Sequence, residues 1–439
     1  MIRYHARWVL PISRPPIANG TVVEDGGRII YAGPRAGAPP GEDRDLGNAV
    51  LMPGLVNTHT HLELTAFGGL LDGLPFREWI VTLQAAKTAV MTRERYLDSA
   101  RFGIAEGLRC GITTYADTCD SGVALEAMRE AGVRGIMYQE LFGPAPSQRL
   151  ESMRTLEQKL AALEPLSNGL VRLGVSPHAP YTVSDELFQD AAKLGRPMAI
   201  HLAESEAETL LIRDAAGPFA DALRQRDIVI APRAKSPVAL LDGLGVLAAR
   251  PLLIHCVRID AADITLIAAH DCAVAHCPYS NRMLGHGTAP LAELLAAHVR
   301  TGLGSDSMAS NERMDILMEA RLAILLQHAR NKDLQAGHAI ELATLGGASA
   351  LDLENEIGTL DPGKSCDLAA FAMLPFGDQR DDDPATALLS TAVPRRAQAV
   401  VIAGHVKLWD NQLVHADKEL SARISAISSA LQAWRRAQS

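Results

Sequence analysis

Pro53-Gly54-Leu55-Val56-Asn57-Thr58-His59-Thr60-His61-Leu62-Glu63 follows the apolar run Ala49-Val50-Leu51-Met52 and reads as a buried strand ending in two histidines. Side chains two apart on a strand share a face, so His59 and His61 converge on one point beyond the strand end. Two neutral imidazoles placed in that way suit a divalent cation such as zinc. A His-x-His pair alone equally suits two packing histidines, and the rest of the chain has to decide.

Outward from this stretch, apolar strand-like runs near 50–57, 113–117, 135–140, 171–176, 198–202, 252–257, 273–276 and 301–304 alternate with helical patterns. The helical patterns include 93–109, 121–131, 149–163, 184–194 and 314–330. Eight strands alternating with helices predict an α/β fold, a (β/α)₈ TIM barrel whose site stands at the C-terminal ends of the strands. Those ends carry His59 and His61, His178, His201, His255, His276 and Asp306, on six of the eight strands. With only 14 histidines in 439 residues, that placement argues against chance.

Both ends of the chain are rich in β patterns. Val22 to Gly33 is a hairpin by its Asp25-Gly26-Gly27 turn, and 367–371 and 399–409 return as strands. A small β-sandwich domain built from 1–53 and 360–439 is expected, flanking a catalytic barrel of 54–359. The stretch 375–394 reads as a surface loop and 420–436 as a terminal helix.

A net charge of −9 and the absence of a basic run argue against a nucleic-acid partner. No apolar window is long enough for a membrane span, and Met1 to Trp8 lacks the build of a signal peptide. The six cysteines are scattered without a Cys-x-x-Cys pair, which suits reduced thiols and a cytoplasmic location. A metal site must then be built from His and carboxylates.

The blocks His59-Thr-His-Leu-Glu63, Ser176-Pro-His-Ala-Pro-Tyr181, His201-Leu-Ala-Glu-Ser-Glu-Ala-Glu208, His276-Cys-Pro-Tyr-Ser-Asn-Arg-Met-Leu-Gly285 and Gly304-Ser-Asp-Ser-Met-Ala-Ser-Asn311 resemble the signature blocks of the amidohydrolase superfamily. More narrowly they resemble its deaminase and chlorohydrolase branch, and within it the aminodeoxyfutalosine and methylthioadenosine/S-adenosylhomocysteine deaminases. The likeness covers nearly the whole chain, including Gly358 to Leu368, which is similar to the family's return into its β-domain.

The resemblance implies one divalent metal held by His59, His61, His201 and Asp306, zinc first, with Fe²⁺ or Mn²⁺ also suiting three imidazoles and a carboxylate. No lysine stands between Gly169 and Glu186 to bridge a second ion, which favours a mononuclear site. Glu204, three residues past His201, is the expected proton shuttle, with His255 and Asp306 as further catalytic groups. Glu63, Trp79, His178 and Asn281 are expected substrate contacts. The activity implied is hydrolytic deamination of an amino-substituted heterocycle, an adenosine-type nucleoside by preference, through attack of metal-bound hydroxide with release of ammonia. A triazine chlorohydrolase or a cyclic-amide hydrolase of the imidazolonepropionase kind would use the same metal chemistry. A non-catalytic scaffold would be expected to have lost ligands, and none is lost here. The expected partners are a small-molecule substrate and further copies of the chain, as a dimer or larger.

Overall fold

The computed structural model describes residues 1–373, 383–389 and 396–438. Eight parallel strands form the barrel in two ladders: Leu55–Thr60, Ile112–Cys119, Arg134–Leu141 and Val171–Pro177, then Ala199–Leu202, Leu252–His255, Ala273–His276 and Arg300–Leu303. Bridges Val175 to Met198 and Thr60 to Asp306 join the ladders on both sides. The first four strands are buried along almost every residue, as expected for parallel strands covered by helices. Helices Arg93–Arg109 and Arg149–Leu163 form where the periodicity places them, the former with Thr92 Oγ1 accepting from the Arg95 amide.

Among the described residues, nine strands from both termini form one further sheet. Its seam is Ala49–Pro53, which pairs parallel with Ile2–Val9 and antiparallel with Leu368–Ala372. The seam strands are apolar on both faces for a reason. Ala49, Leu51, Leu368, Ala370, Ala399 and Val401 pack into the small domain's own core, whereas Val50, Met52, Ala369, Phe371, Val400 and Ile402 belong to the barrel's core. Period-two alternation thus binds the terminal sheet to the barrel.

Two expectations need correction. The apolar run and the His-x-His segment are two strands rather than one, broken at Pro53-Gly54. A Cβ at Gly54 would lie 2.2 Å from the Thr113 side chain, and the Gly54 amide donates to the Asp367 carbonyl at 2.9 Å. The chain crosses there from the terminal sheet into the barrel. The stretch 375–394, read as a loop, holds the helix Pro384–Leu389, with proline at the first helical position, where its missing N–H costs nothing; 374–382 and 390–395 lie outside the described residues.

Between the first two barrel strands, helix Phe76–Val90 forms a wall over the strand ends. Its Leu83, Ala86 and Val90 cluster with Leu420, Ile424, Ile427 and Leu431 of the terminal helix Leu420–Gln438. The C-terminus therefore backs one wall of the barrel mouth. Among the described residues no helix is long and apolar enough to cross a membrane, and all six cysteines are buried and unbridged.

At the foot of the barrel, Arg134 forms a bidentate pair with Asp367 (2.7 and 3.2 Å) and also donates to Ser365 Oγ (2.8 Å), with both charges buried. Removing one member of a buried pair strands the other's charge. Asp367→Ala is expected to cost about 3–5 kcal/mol of stability, read as a lowered midpoint in chemical denaturation; an unchanged midpoint would show that the two lobes do not depend on this pair.

Candidate active site

The strand-end residues meet at the barrel mouth. His59 Nε2 lies 3.2 Å and His61 Nε2 3.6 Å from Asp306 Oδ1, and His201 Nε2 is 3.3 Å from His61 Nε2. His59, His61 and His201 can present one ring nitrogen each within 4.8 Å of one another, and His59, His255 and Asp306 two ring nitrogens and a carboxylate oxygen within the same distance. Burial and the neighbouring imidazole of His59 hold His61 down to about 3, and burial beside His178 and His59 holds His201 well below the usual histidine range. The rings are therefore neutral and keep lone pairs. Burial alone would push Asp306 up, but the hydrogen bond from His59 and the electrostatic influence of the His59, His255 and His61 rings hold it well below the usual carboxylate range.

His201 Nδ1 donates to the His178 carbonyl (3.2 Å), which leaves its Nε2 facing inward. Thr118 Oγ1 lies 3.1 Å from His61 Nδ1 and 3.4 Å from its Nε2, and that Nε2 also faces His201 Nε2 and Asp306 Oδ1. Asp306 Oδ2 accepts from Ser280 Oγ (2.5 Å) and Ser310 Oγ (3.2 Å), and Oδ1 from the Ser307 amide (2.7 Å). Such second contacts orient metal ligands. Neutral imidazoles and an ionised carboxylate with fixed lone pairs fit a divalent metal. The backbone is strained here as well. His255, Cys256, Ala203 and Asp306 all adopt positive φ, at 74°, 47°, 51° and 59°, a conformation that L side chains rarely take and that recurs at functional sites.

With this geometry stand the comparisons with known proteins. The model of the amidohydrolase family matches residues 50–407. The chain belongs to that family. A 5-methylthioadenosine/S-adenosylhomocysteine deaminase of Moorella thermoacetica is 32% identical over 425 residues, 94% of this chain and 95% of that protein. Among solved structures, an adenosine deaminase from Xanthomonas campestris with bound zinc superposes with a TM-score of 0.87 at 28% identity, covering 99% and 98% of the two chains. The atrazine chlorohydrolase of Arthrobacter aurescens, complexed with zinc, has a TM-score of 0.83 at 23% identity over 98% of this chain and all of that one, which shows the shared fold.

In this amidohydrolase, Glu204 Oε1 lies 3.6 Å from His255 Nε2 and 3.2 Å from His286 Nε2. Burial would raise Glu204, but the fields of both histidines hold it below the usual carboxylate range, so it is ionised at neutral pH. His286 was not anticipated from sequence, because it lies in Leu284-Gly285-His286-Gly287 beyond any strand end. It reaches Glu204 because the helix Pro278–Met283 turns the chain back, with the His286 amide donating to the Asn281 carbonyl at 2.9 Å. Phe76 packs edge-on against the ring of His286, centroids 4.4 Å apart.

The cavity is lined by His61, His178, His201, Glu204, His255 and Asp306, together with Phe76, Trp79, Ile80, Leu83, Phe142 and Tyr181. Trp79 stands in its wall with the indole N–H donating to the Ala309 carbonyl at 3.3 Å. Asn281 instead accepts from His255 Nδ1 at 3.0 Å and does not line the cavity. Glu63 does not line it either. The strand ends at Thr60 and the chain continues as a 3₁₀ helix, so the alternation that joins His59 to His61 does not extend to Glu63. Its carboxylate pairs with Lys87 at 3.4 Å and accepts from the amide and hydroxyl of Ser121. Glu140, at the end of the third strand, is 4.0 Å from His178 Nε2, and burial pushes it up to about 8.

Glu208 and Glu319 are likewise pushed up to about 8 by burial. A carboxyl whose folded pKa lies above its ordinary 4.5 binds its proton more tightly in the folded state, so its stabilising contribution is lost as pH rises from there through about 8. The melting temperature of Glu319→Gln relative to wild type is expected to rise by about 2–4 °C between about pH 5.5 and about pH 8.5. A difference independent of pH would show that Glu319 is ionised throughout.

Proposed function

We propose that this amidohydrolase is a metal-dependent deaminase that hydrolyses the amine from an adenosine-type nucleoside. One observation carries the reading: an ionised Glu204, flanked by His255 and His286, beside a cluster of neutral imidazoles in an aromatic-walled cavity. The names of the Moorella and Xanthomonas proteins support the same reaction and substrate class for this chain. The ligand set we assign is His59, His61, His201 and Asp306, with zinc as the ion. When bound, a divalent ion supplies Lewis-acid activation of the attacking water.

The chain's own groups do the proton work. Glu204 takes a proton from the water and delivers it to the ring nitrogen adjoining the amine-bearing carbon, which makes that carbon electrophilic. His255, with Nδ1–H committed to Asn281, turns Nε2 toward Glu204 and orients the nucleophile. A carbon–oxygen bond forms, and Asp306 takes the remaining proton of the added hydroxyl and passes it to the amine as the carbon–nitrogen bond breaks, leaving a ring carbonyl and ammonia. Trp79 and Phe76 offer flat apolar faces to a heterocycle.

Ammonia release should be measured from adenosine, methylthioadenosine, S-adenosylhomocysteine, aminodeoxyfutalosine, guanine, cytosine and a chlorotriazine. A nucleoside is expected to respond, with Glu204→Gln lowering kcat by about 10²–10⁴. Chloride from the triazine, with silence on the amines, would replace deamination by dechlorination. Elemental analysis of purified protein is expected to give one zinc per chain and clearly less in His201→Ala; stoichiometric metal in that variant would exclude His201 as a ligand.

A further inference from the structure

Glu204 and His255 both stand where a barrel strand breaks into left-handed backbone. Strand Ala199–Leu202 gives way to Ala203 at φ 51°, and strand Leu252–His255 ends in His255 and Cys256 at 74° and 47°. The two breaks are joined through the main chain. The Leu202 carbonyl accepts from the Cys256 amide at 3.1 Å, and the Ala203 carbonyl accepts from the amides of Val257 (3.0 Å) and Arg258 (2.8 Å). The other side of this turn is held by a side chain. Glu208 Oε1 accepts from the Ala203 amide and Oε2 from the Glu204 amide, both at 2.9 Å, and Glu208 is fully buried.

Helix capping does not account for that contact. Glu208 is the third residue of helix Glu206–Asp214, whose cap is Ser205, with Ser205 Oγ accepting from the Glu208 amide at 3.3 Å. In a capping box the carboxylate at this position returns to the amide of the capping residue itself. Here it passes that residue and takes two amides that precede the helix. Each carboxyl oxygen keeps a lone pair for an N–H whether or not the group is protonated, so the clamp does not depend on its charge. A left-handed alanine persists only where its surroundings over-determine it. Glu208 on one side and the Val257 and Arg258 amides on the other supply that constraint.

We propose that Glu208 is a positioning residue for the proton transfer. Through the Ala203 and Glu204 amides it fixes where the Glu204 carboxylate stands relative to His255 and the reacting atoms. The inference rests on the reading above in which Glu204 carries the proton. Glu208 does not line the cavity, so it acts through Glu204 rather than on the substrate. A displacement of about 1 Å at a catalytic group can cost about 10²-fold in rate.

The test is a double-mutant cycle on kcat in zinc-loaded protein, using the nucleoside that wild type deaminates fastest. Glu208→Gln offers one oxygen and one NH₂ group, and so serves only one of the two amides. Its kcat is expected to fall by about 10- to 100-fold with KM and zinc content unchanged. The same change made in Glu204→Gln should lower kcat by less than about 3-fold, because the group being positioned is already gone. A fall by the same factor in both backgrounds would reduce Glu208 to a structural role and overturn the inference. So would a wild-type kcat in Glu208→Gln. If Glu208→Gln yields no folded protein, Glu208→Asp, which draws the carboxyl back by one methylene, is read by the same cycle. A wild-type kcat in Glu204→Gln would instead remove Glu204 as the proton carrier and take this inference with it.

Discussion

The closure of the barrel between its first and last strands is the constraint on which the rest depends. The Asp306 amide donates to the His59 carbonyl at 2.9 Å, and the His59 ring meets the Asp306 carboxylate at 3.2 Å. Backbone and side chain thus make the same junction, between residues 247 apart in sequence. Once it is formed, every strand end faces one centre, and histidines from the first, fourth, fifth and sixth strands lie within ring-contact distance of each other. Without it, His-x-His is only a pair of imidazoles at a strand end.

Burial then performs the chemistry of preparation. Histidines removed from water lose their protons and keep lone pairs. Carboxylates in the same volume separate by their neighbours. Asp306 and Glu204 stand among imidazoles and ionise, whereas at Glu140, Glu208 and Glu319 burial outweighs the stabilising neighbours and pushes the carboxyl up to about 8. One fold therefore keeps bases and neutral acids within a few ångströms, set by environment rather than by residue type. The left-handed backbone at His255, Cys256 and Asp306 carries a strain of about 1–3 kcal/mol each, which the surrounding barrel offsets.

Much of this was legible along the chain. The strand ends could be read because parallel strands are apolar runs, and a histidine closing such a run is conspicuous. Helix limits at Arg93–Arg109 and Arg149–Leu163 followed from periodicity. The failures have physical causes. Pro53-Gly54 sits inside an apolar stretch, and only the approach of Thr113 shows that two sheets meet there. Glu63 follows the His-x-His spacing but falls past the point where strand geometry gives way to a 3₁₀ turn. His286 lies in a glycine-flanked loop with no periodicity to mark it. Asn281 was noticed, but its tie to His255 is a contact that spacing cannot express.

The sequence by itself determined the alternation of strands and helices, the identity of the groups at the strand ends and the apolar faces that join the terminal sheet to the barrel. These are local properties, written in side-chain periodicity and residue type. Only the tertiary structure decided which groups share a proton, which carboxylates ionise and which nitrogen of each histidine faces the centre. Those depend on distances between residues far apart in the chain and on the removal of water around them, and neither exists until the barrel has closed.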